Sequence, residues 1–214
     1  MKGAIFDLDG VIVDTAKYHY LAWKELAARL GFFFKESDNE RLKGVSRMRS
    51  LEILLEVGGI TATEEEMQEM AEEKNTRYVE MLQNLTKDEL LEGAEDYLKK
   101  LKSEGVRISL GSASKNAPMI LDKLGITEYF DAIVDGNCVS KAKPDPEVFL
   151  KGAEMLGLDP ADCVVFEDSQ AGIEAARNAG CGVIAVDKGG VLFDADQYVK
   201  CLGDFSKCLT THWN

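Results

Sequence analysis

A chain of 214 residues and 23.6 kDa, 45% of them hydrophobic, can bury a full core and still carry a small inserted domain. Asp and Glu outnumber Lys and Arg by 38 to 25, and the net charge of −13 with a pI near 4.7 argues against nucleic acid or a membrane surface as partner. The five cysteines (Cys138, Cys163, Cys181, Cys201, Cys208) show neither Cys-x-x-Cys spacing nor a histidine cluster, and no long apolar span precedes them; a reduced cytoplasmic setting is expected, with Cys163 and Cys181 as core fillers.

The chain opens on the apolar run Gly3-Ala4-Ile5-Phe6, which ends at once in Asp7-Leu8-Asp9-Gly10-Val11. Such a run reads as a buried parallel strand that delivers its last side chains to the carboxyl edge of a sheet, where α/β proteins place ligands. Asp and Gly also end ordinary strands. Two carboxylates presented together can nevertheless hold a hard cation such as Mg²⁺ while one attacks an electrophile.

From about Ala16 to Leu91 no strand is expected. Helices are predicted over Tyr18 to Leu30, Arg47 to Val57, and after Thr63, where Glu66 three residues on makes a capping box. Thr15, His19 and Trp23 follow at spacings of four and share one helix face; Trp23 suits either core or a ligand pocket. From Glu92 the pattern alternates helix and strand through Ile108, Ala132-Ile133-Val134 and Val183-Ile184-Ala185-Val186, which specifies a parallel sheet covered on both faces. The expected organisation is an α/β core of residues 1–15 and 92–214 with a helical cap of residues 16–91, hinged near Asp14-Thr15-Ala16 and Leu90-Leu91-Glu92.

Three later strand ends carry complementary chemistry. The strand through Ile108 runs into Ser112-Ala113-Ser114-Lys115-Asn116, whose hydroxyls and amides suit a phosphate. Lys143 stands in Lys141-Ala142-Lys143-Pro144-Asp145-Pro146, where prolines fix the backbone. Val164-Val165-Phe166 ends in Glu167-Asp168, and Ser169 reads as the N-cap of the following helix.

Aspartate pair, serine, lysine and acidic pair, in this order and each at a strand end, resemble the motif series of the haloacid dehalogenase superfamily. Asp9 points to phosphate esters, since the dehalogenases lack the second aspartate and the cation-pumping ATPases carry threonine there. The stretches Phe6–Ala16, Leu42–Arg47, Lys74-Asn75 with Tyr78, Ser112–Asn116 and Glu167–Ile173 are similar to the β-phosphoglucomutase family, over nearly the whole chain up to about Asp187.

The resemblance implies a parallel-sheet, Rossmann-like α/β core with an inserted all-helical cap over the sheet's carboxyl edge. It further implies Asp7 as nucleophile, Asp9 as general acid and base, and Ser112 and Lys143 on the transferring phosphoryl group. Mg²⁺ would be held by Asp7, Asp9 through its backbone carbonyl, and Asp168, with Glu167 close by. Lys43, Gly44, Val45, Ser46 and Arg47 would meet the sugar and its other phosphate, with Arg47 as the clamp; Ala113, Ser114, Lys115 and Asn116 complete that frame. Thr15, His19, Trp23 and Lys74 would line the site or serve cap closure. The implied substrates are small sugar phosphates, and a monomer is expected. The implied activity is a phosphomutase acting on β-D-glucose 1-phosphate and glucose 6-phosphate through a bisphosphate. A phosphatase of the same superfamily is the alternative, and a non-catalytic binding module fits worse because every core catalytic position is filled.

Overall fold

The computed structural model describes residues 1–42 and 45–207. The chain divides into two compact units, Met1–Asp14 with Thr86–Asn214, and Thr15–Leu85. The second break falls six residues before the expected one. Residues 86–91 belong with the α/β unit because Leu91 N donates to Ile12 O at 3.0 Å and Val13 pairs with Leu90.

In the α/β unit, among the described residues, six parallel strands form one sheet. They are β1 (Gly3–Phe6), β2 (Arg107–Gly111), β3 (Ala132–Val134), β4 (Cys163–Glu167), β5 (Gly182–Val186) and β6 (Gln197–Val199), in the order β3-β2-β1-β4-β5-β6. β1 is central: Ala4 pairs with Ile108 on one side and Val164 on the other. All four of its residues are buried, which explains the unbroken apolar run, since side chains alternate between two covered faces. Ile5 enters a core with Phe149 and Ile173, while Phe6 stacks on Phe166 and meets Tyr97 edge-on.

Those partners name the covering helices. Phe149 and Ile173 lie on the helices Glu147–Leu156 and Gln170–Ala179, and Tyr97 on the helix Ala94–Ser103. The remaining α-helices of this unit among the described residues are Ala117–Leu124 and Asp204–Lys207. Cys163 and Cys181 fill core space as expected. β6 was not anticipated: Gln197-Tyr198-Val199 is a short edge strand with a single buried residue and carries no apolar run.

The second unit has helices and connecting loops but no strand among its described residues. It holds Ala16–Arg29, the short Glu36–Asn39, Arg47–Gly58 and Glu64–Leu82 around a core of Trp23, Leu26, Phe34, Leu51, Leu54 and Ala71. The capping box is present: Thr63 N donates to Glu66 Oε2 at 2.7 Å, and Glu66 N donates to Thr63 Oγ1 at 3.3 Å. No helix among the described residues is long and apolar enough to cross a membrane.

Candidate active site

The site of the α/β unit is assembled where β1, β2 and β4 end. Asp7 is the first residue past β1, and its N–H continues the ladder to Phe166 O at 2.9 Å; Glu167 closes β4. Because the two strands are neighbours in register, their terminal carboxylates emerge side by side. Lys143 reaches between them from the segment joining β3 to the helix at Glu147. Its ammonium donates to Asp7 Oδ1 at 2.6 Å and to Glu167 Oε1 at 2.5 Å, with the Phe149 ring centroid 4.8 Å away. All three residues are buried.

Burial sets the protonation chemistry. It raises Asp7 to about 6, opposed by the Lys143 charge and reinforced by that of Glu167. Burial alone would lower the Lys143 ammonium, but the Asp7 and Glu167 charges outweigh it and hold the pKa above the ordinary lysine value. Lys143 therefore stays a cation beside a carboxylate that ionises near neutrality.

Glu167 is fully engaged. Its Oε2 accepts from Ser169 N at 2.7 Å and Ser169 Oγ at 2.9 Å, and Ser169 Oγ in turn accepts from Gly172 N at 3.1 Å, the N-cap read from the sequence. Asp168 lies against the first motif, so close to Gly10 that a side chain there would displace its carboxylate. Its carboxyl is raised well above the usual range by burial and then by the charges of Glu167, Asp7 and Asp9.

Among the described residues, no three carboxylate, imidazole or thiol side chains form a ready-made metal centre. The donor chemistry nevertheless suits a hard divalent cation. The available atoms are oxygens, and the mutual repulsion of Asp7, Asp9 and Asp168 exceeds what one lysine offsets.

Just past β2, Ser112 is buried and its Oγ accepts from Ser114 N at 3.1 Å, while Ser114 Oγ accepts from Asn116 N at 3.3 Å. These hydroxyls shape a tight loop ahead of the helix Ala117–Leu124, with Ala113 and Lys115 exposed on it.

The helical unit has a second polar cluster. Lys74 is buried rather than solvated: its Nζ lies 2.7 Å from His19 Nδ1, 4.5 Å from the Trp23 ring centroid and 4.8 Å from that of Tyr78. A lysine ammonium can only donate, so His19 Nδ1 accepts and its proton sits on Nε2. His19 stacks on Tyr78 with centroids 4.0 Å apart, and burial, then Lys74 and Arg47, holds its pKa well below the usual value. Trp23 is buried in the helical core. Arg47 donates to Asn75 Oδ1 at 2.8 Å, and burial lowers its pKa. Thr15 is buried at the start of Ala16–Arg29, Ser46 caps Arg47–Gly58 by accepting from Arg49 N, and Val45 packs on the helical core. Lys43 and Gly44 lie outside the described residues.

Sequence reasoning missed two residues that hold the Lys143 segment. Glu147 Oε2 accepts from Ser140 N, Ser140 Oγ and Lys141 N, and Asn178 Nδ2 donates to Pro144 O. The available signal was an acidic residue four positions past Lys143 at a helix start.

Comparison with known proteins agrees with this geometry. Residues 1–180 match the family model described as haloacid dehalogenase-like hydrolase. The chain is 46% identical over 208 residues to the β-phosphoglucomutase of Bacillus subtilis, covering 96% of this chain and 92% of the relative. It is 33% identical over 183 residues to a phosphorylated carbohydrates phosphatase of Thermotoga maritima, covering 84% and 82%. The crystal structure of β-phosphoglucomutase from Clostridium difficile superposes with a TM-score of 0.91 at 42% identity, covering 95% of this chain and 92% of that one. With the motif residues gathered at one sheet edge and matches of this extent, the chain belongs to the haloacid dehalogenase-like hydrolase family.

Proposed function

We propose that the protein is a β-phosphoglucomutase, interconverting β-D-glucose 1-phosphate and D-glucose 6-phosphate through an aspartyl-phosphate enzyme and glucose 1,6-bisphosphate. The observation that supports it most is the buried Lys143 ammonium shared by Asp7 and Glu167, in a chain 46% identical to a named β-phosphoglucomutase.

Asp7 is the nucleophile: a carboxylate oxygen bonds to phosphorus as the bond to the sugar oxygen breaks. Asp9 gives its proton to that departing oxygen and, in the reverse direction, takes one from the attacking hydroxyl. The phosphorylated Asp7 transfers to the 6-hydroxyl of β-glucose 1-phosphate; the bisphosphate turns around, and its 1-phosphate returns to Asp7. Two unit charges about 4 Å apart repel by roughly 4 kcal/mol at an effective dielectric near 20. Lys143 offsets part of that repulsion, and Ser112 donates its hydroxyl proton to the same phosphoryl group. Mg²⁺ suits the oxygens of Asp7, Asp168 and the Asp9 carbonyl, and when bound supplies further charge neutralisation. Glu167 contributes through Lys143.

Arg47 is assigned the non-reacting phosphate, with Lys43, Gly44, Val45 and Ser46 beside it, and Ala113, Ser114, Lys115 and Asn116 frame the phosphate from the α/β unit. Thr15, His19 and Lys74 are assigned to substrate handling and cap closure within the helical unit, where Trp23 packs in the core. The protein acts as a monomer in a reducing cytoplasm. Phosphatase-named relatives at 33% identity make hydrolysis the second reading. Acetyl phosphate tests the chemistry: Asp7→Asn is expected to take up no phosphoryl group while Asp9→Asn still does, and equal loss in both contradicts the roles.

A further inference from the structure

We propose that Glu147 is a positioning residue for Lys143, its carboxylate gathering the segment that carries the lysine and so fixing where the ammonium stands. The inference rests on the reading of Asp7 and Lys143 as reacting groups.

The segment between β3 and the helix Glu147–Leu156 has no strand or helix over residues 139–146; locally, a turn in which Asp145 N donates to Ala142 O at 3.0 Å spans Lys143 and Pro144. Two side-chain tethers anchor that turn to the rest of the unit. On the entry side, Glu147 Oε2 accepts from Ser140 N at 2.9 Å, Ser140 Oγ at 3.0 Å and Lys141 N at 2.9 Å. On the exit side, Asn178 Nδ2 donates to Pro144 O at 3.1 Å. Only Ala142 and Lys143 lie between them. The other Glu147 oxygen accepts from Lys151 Nζ at 2.7 Å, and the same ammonium donates to Cys138 O at 2.6 Å, which ties the segment farther back.

Three donors converge on one oxygen, an arrangement that calls for a charged acceptor. Hydrogen bonds from Lys151, from the Lys141 and Ser140 amides and from the Ser140 hydroxyl push the carboxyl down to about 2, so it is ionised at every working pH. Asp7 and Glu167 sit at strand ends, whereas Lys143 sits on a turn that these tethers hold in place, so that its ammonium reaches both carboxylates. An acidic residue in a first helical turn also stabilises its helix, and a purely structural role would lower stability without acting through Lys143.

A double-mutant cycle separates the two. Phosphoenzyme formation from acetyl phosphate, a step common to mutase and phosphatase, is followed for wild type, Glu147→Ala, Lys143→Ala and the double variant, with Tm recorded for each. Glu147→Ala is expected to slow the step ten- to a hundred-fold in the wild-type background and less than twofold once Lys143 is absent. Glu147→Gln, which keeps an acceptor oxygen, is expected to lose three- to tenfold and to show the same dependence on Lys143; it carries the cycle if Glu147→Ala melts below the assay temperature. Equal losses in both backgrounds, or none in the wild-type background, overturn the inference alone. A wild-type protein that takes up no phosphoryl group overturns the active-site reading and the inference with it.

Discussion

A Cβ placed on Gly10 would stand 1.9 Å from Oδ2 of Asp168, and Gly10 itself adopts φ +82°. The turn after the first aspartate pair therefore closes directly onto the carboxylate of the last motif, just past the ends of two paired strands.

Gly10→Ala is expected to act twice. The left-handed backbone costs an alanine about 1–2 kcal/mol, which corresponds to roughly 2–8 °C in Tm for a domain of this size. Displacement of Asp168 should also raise the Mg²⁺ concentration needed for half-maximal activity. Thermal melts with and without Mg²⁺, beside a Mg²⁺ titration of activity, check both; an unchanged Mg²⁺ requirement contradicts the role given to Asp168.

The two adjacent acidic residues are expected to fail differently. Glu167→Ala removes a partner of Lys143 and the acceptor of the Ser169 N–H and hydroxyl, so it should cost about 1–3 kcal/mol of stability measured in chelator. Asp168→Ala relieves like-charge repulsion and should leave chelator-state stability unchanged or higher, while metal affinity collapses. Matching effects of the two substitutions on Tm and on Mg²⁺ affinity would contradict the division of labour.

Stability should carry a signature of His19. The folded imidazole is neutral because burial, then Lys74 and Arg47, depresses its pKa. The unfolded chain takes up a proton near the ordinary pKa of about 6.5, so this contribution is complete above that pH and is lost as pH falls below it, by up to about 1.4 kcal/mol per pH unit. Asp7, raised to about 6, titrates in the opposite sense over the same range, but equally in both proteins compared. Denaturant unfolding between pH 7 and 5 is expected to show a shallower decline for His19→Asn than for wild type; parallel curves would refute the buried neutral imidazole.

Much of this was legible in the chain. The strand at Gly3–Phe6, the helix caps at Thr63 and Ser169 and the order of the motifs follow from periodicity and local chemistry, because buried parallel strands and first helical turns impose those residue types. The edge strand Gln197–Val199 left no signal, since one sheet neighbour and one buried residue demand little of a sequence. For Lys74 the resemblance implied a place at the site or in cap closure, but its packing among His19, Trp23 and Tyr78 is a tertiary arrangement that spacing along one helix does not encode. Glu147 and Asn178 act through backbone atoms of another segment, a pairing that sequence alone does not encode.

Substitution of Arg47 is expected to separate sugar handling from phosphoryl chemistry. Its Asn75 contact orients the guanidinium within the helical unit, and loss of a charge-assisted phosphate contact is worth about 1.5–3 kcal/mol, or roughly ten- to more than a hundred-fold. Arg47→Ala is expected to lower kcat/KM for the sugar phosphate by that factor while phosphoenzyme formation from acetyl phosphate stays within about threefold. An equal loss with both donors would remove Arg47 from the sugar site.

The partition between transfer and hydrolysis tests the mutase reading most directly. The protein, with Mg²⁺ and a catalytic amount of glucose 1,6-bisphosphate, is given β-D-glucose 1-phosphate, and glucose 6-phosphate and inorganic phosphate are followed together. Glucose 6-phosphate should account for nearly all substrate consumed, with phosphate release slower by orders of magnitude and turnover dependent on the bisphosphate. Stoichiometric phosphate release with no glucose 6-phosphate would contradict the mutase and leave a sugar-phosphate phosphatase in its place.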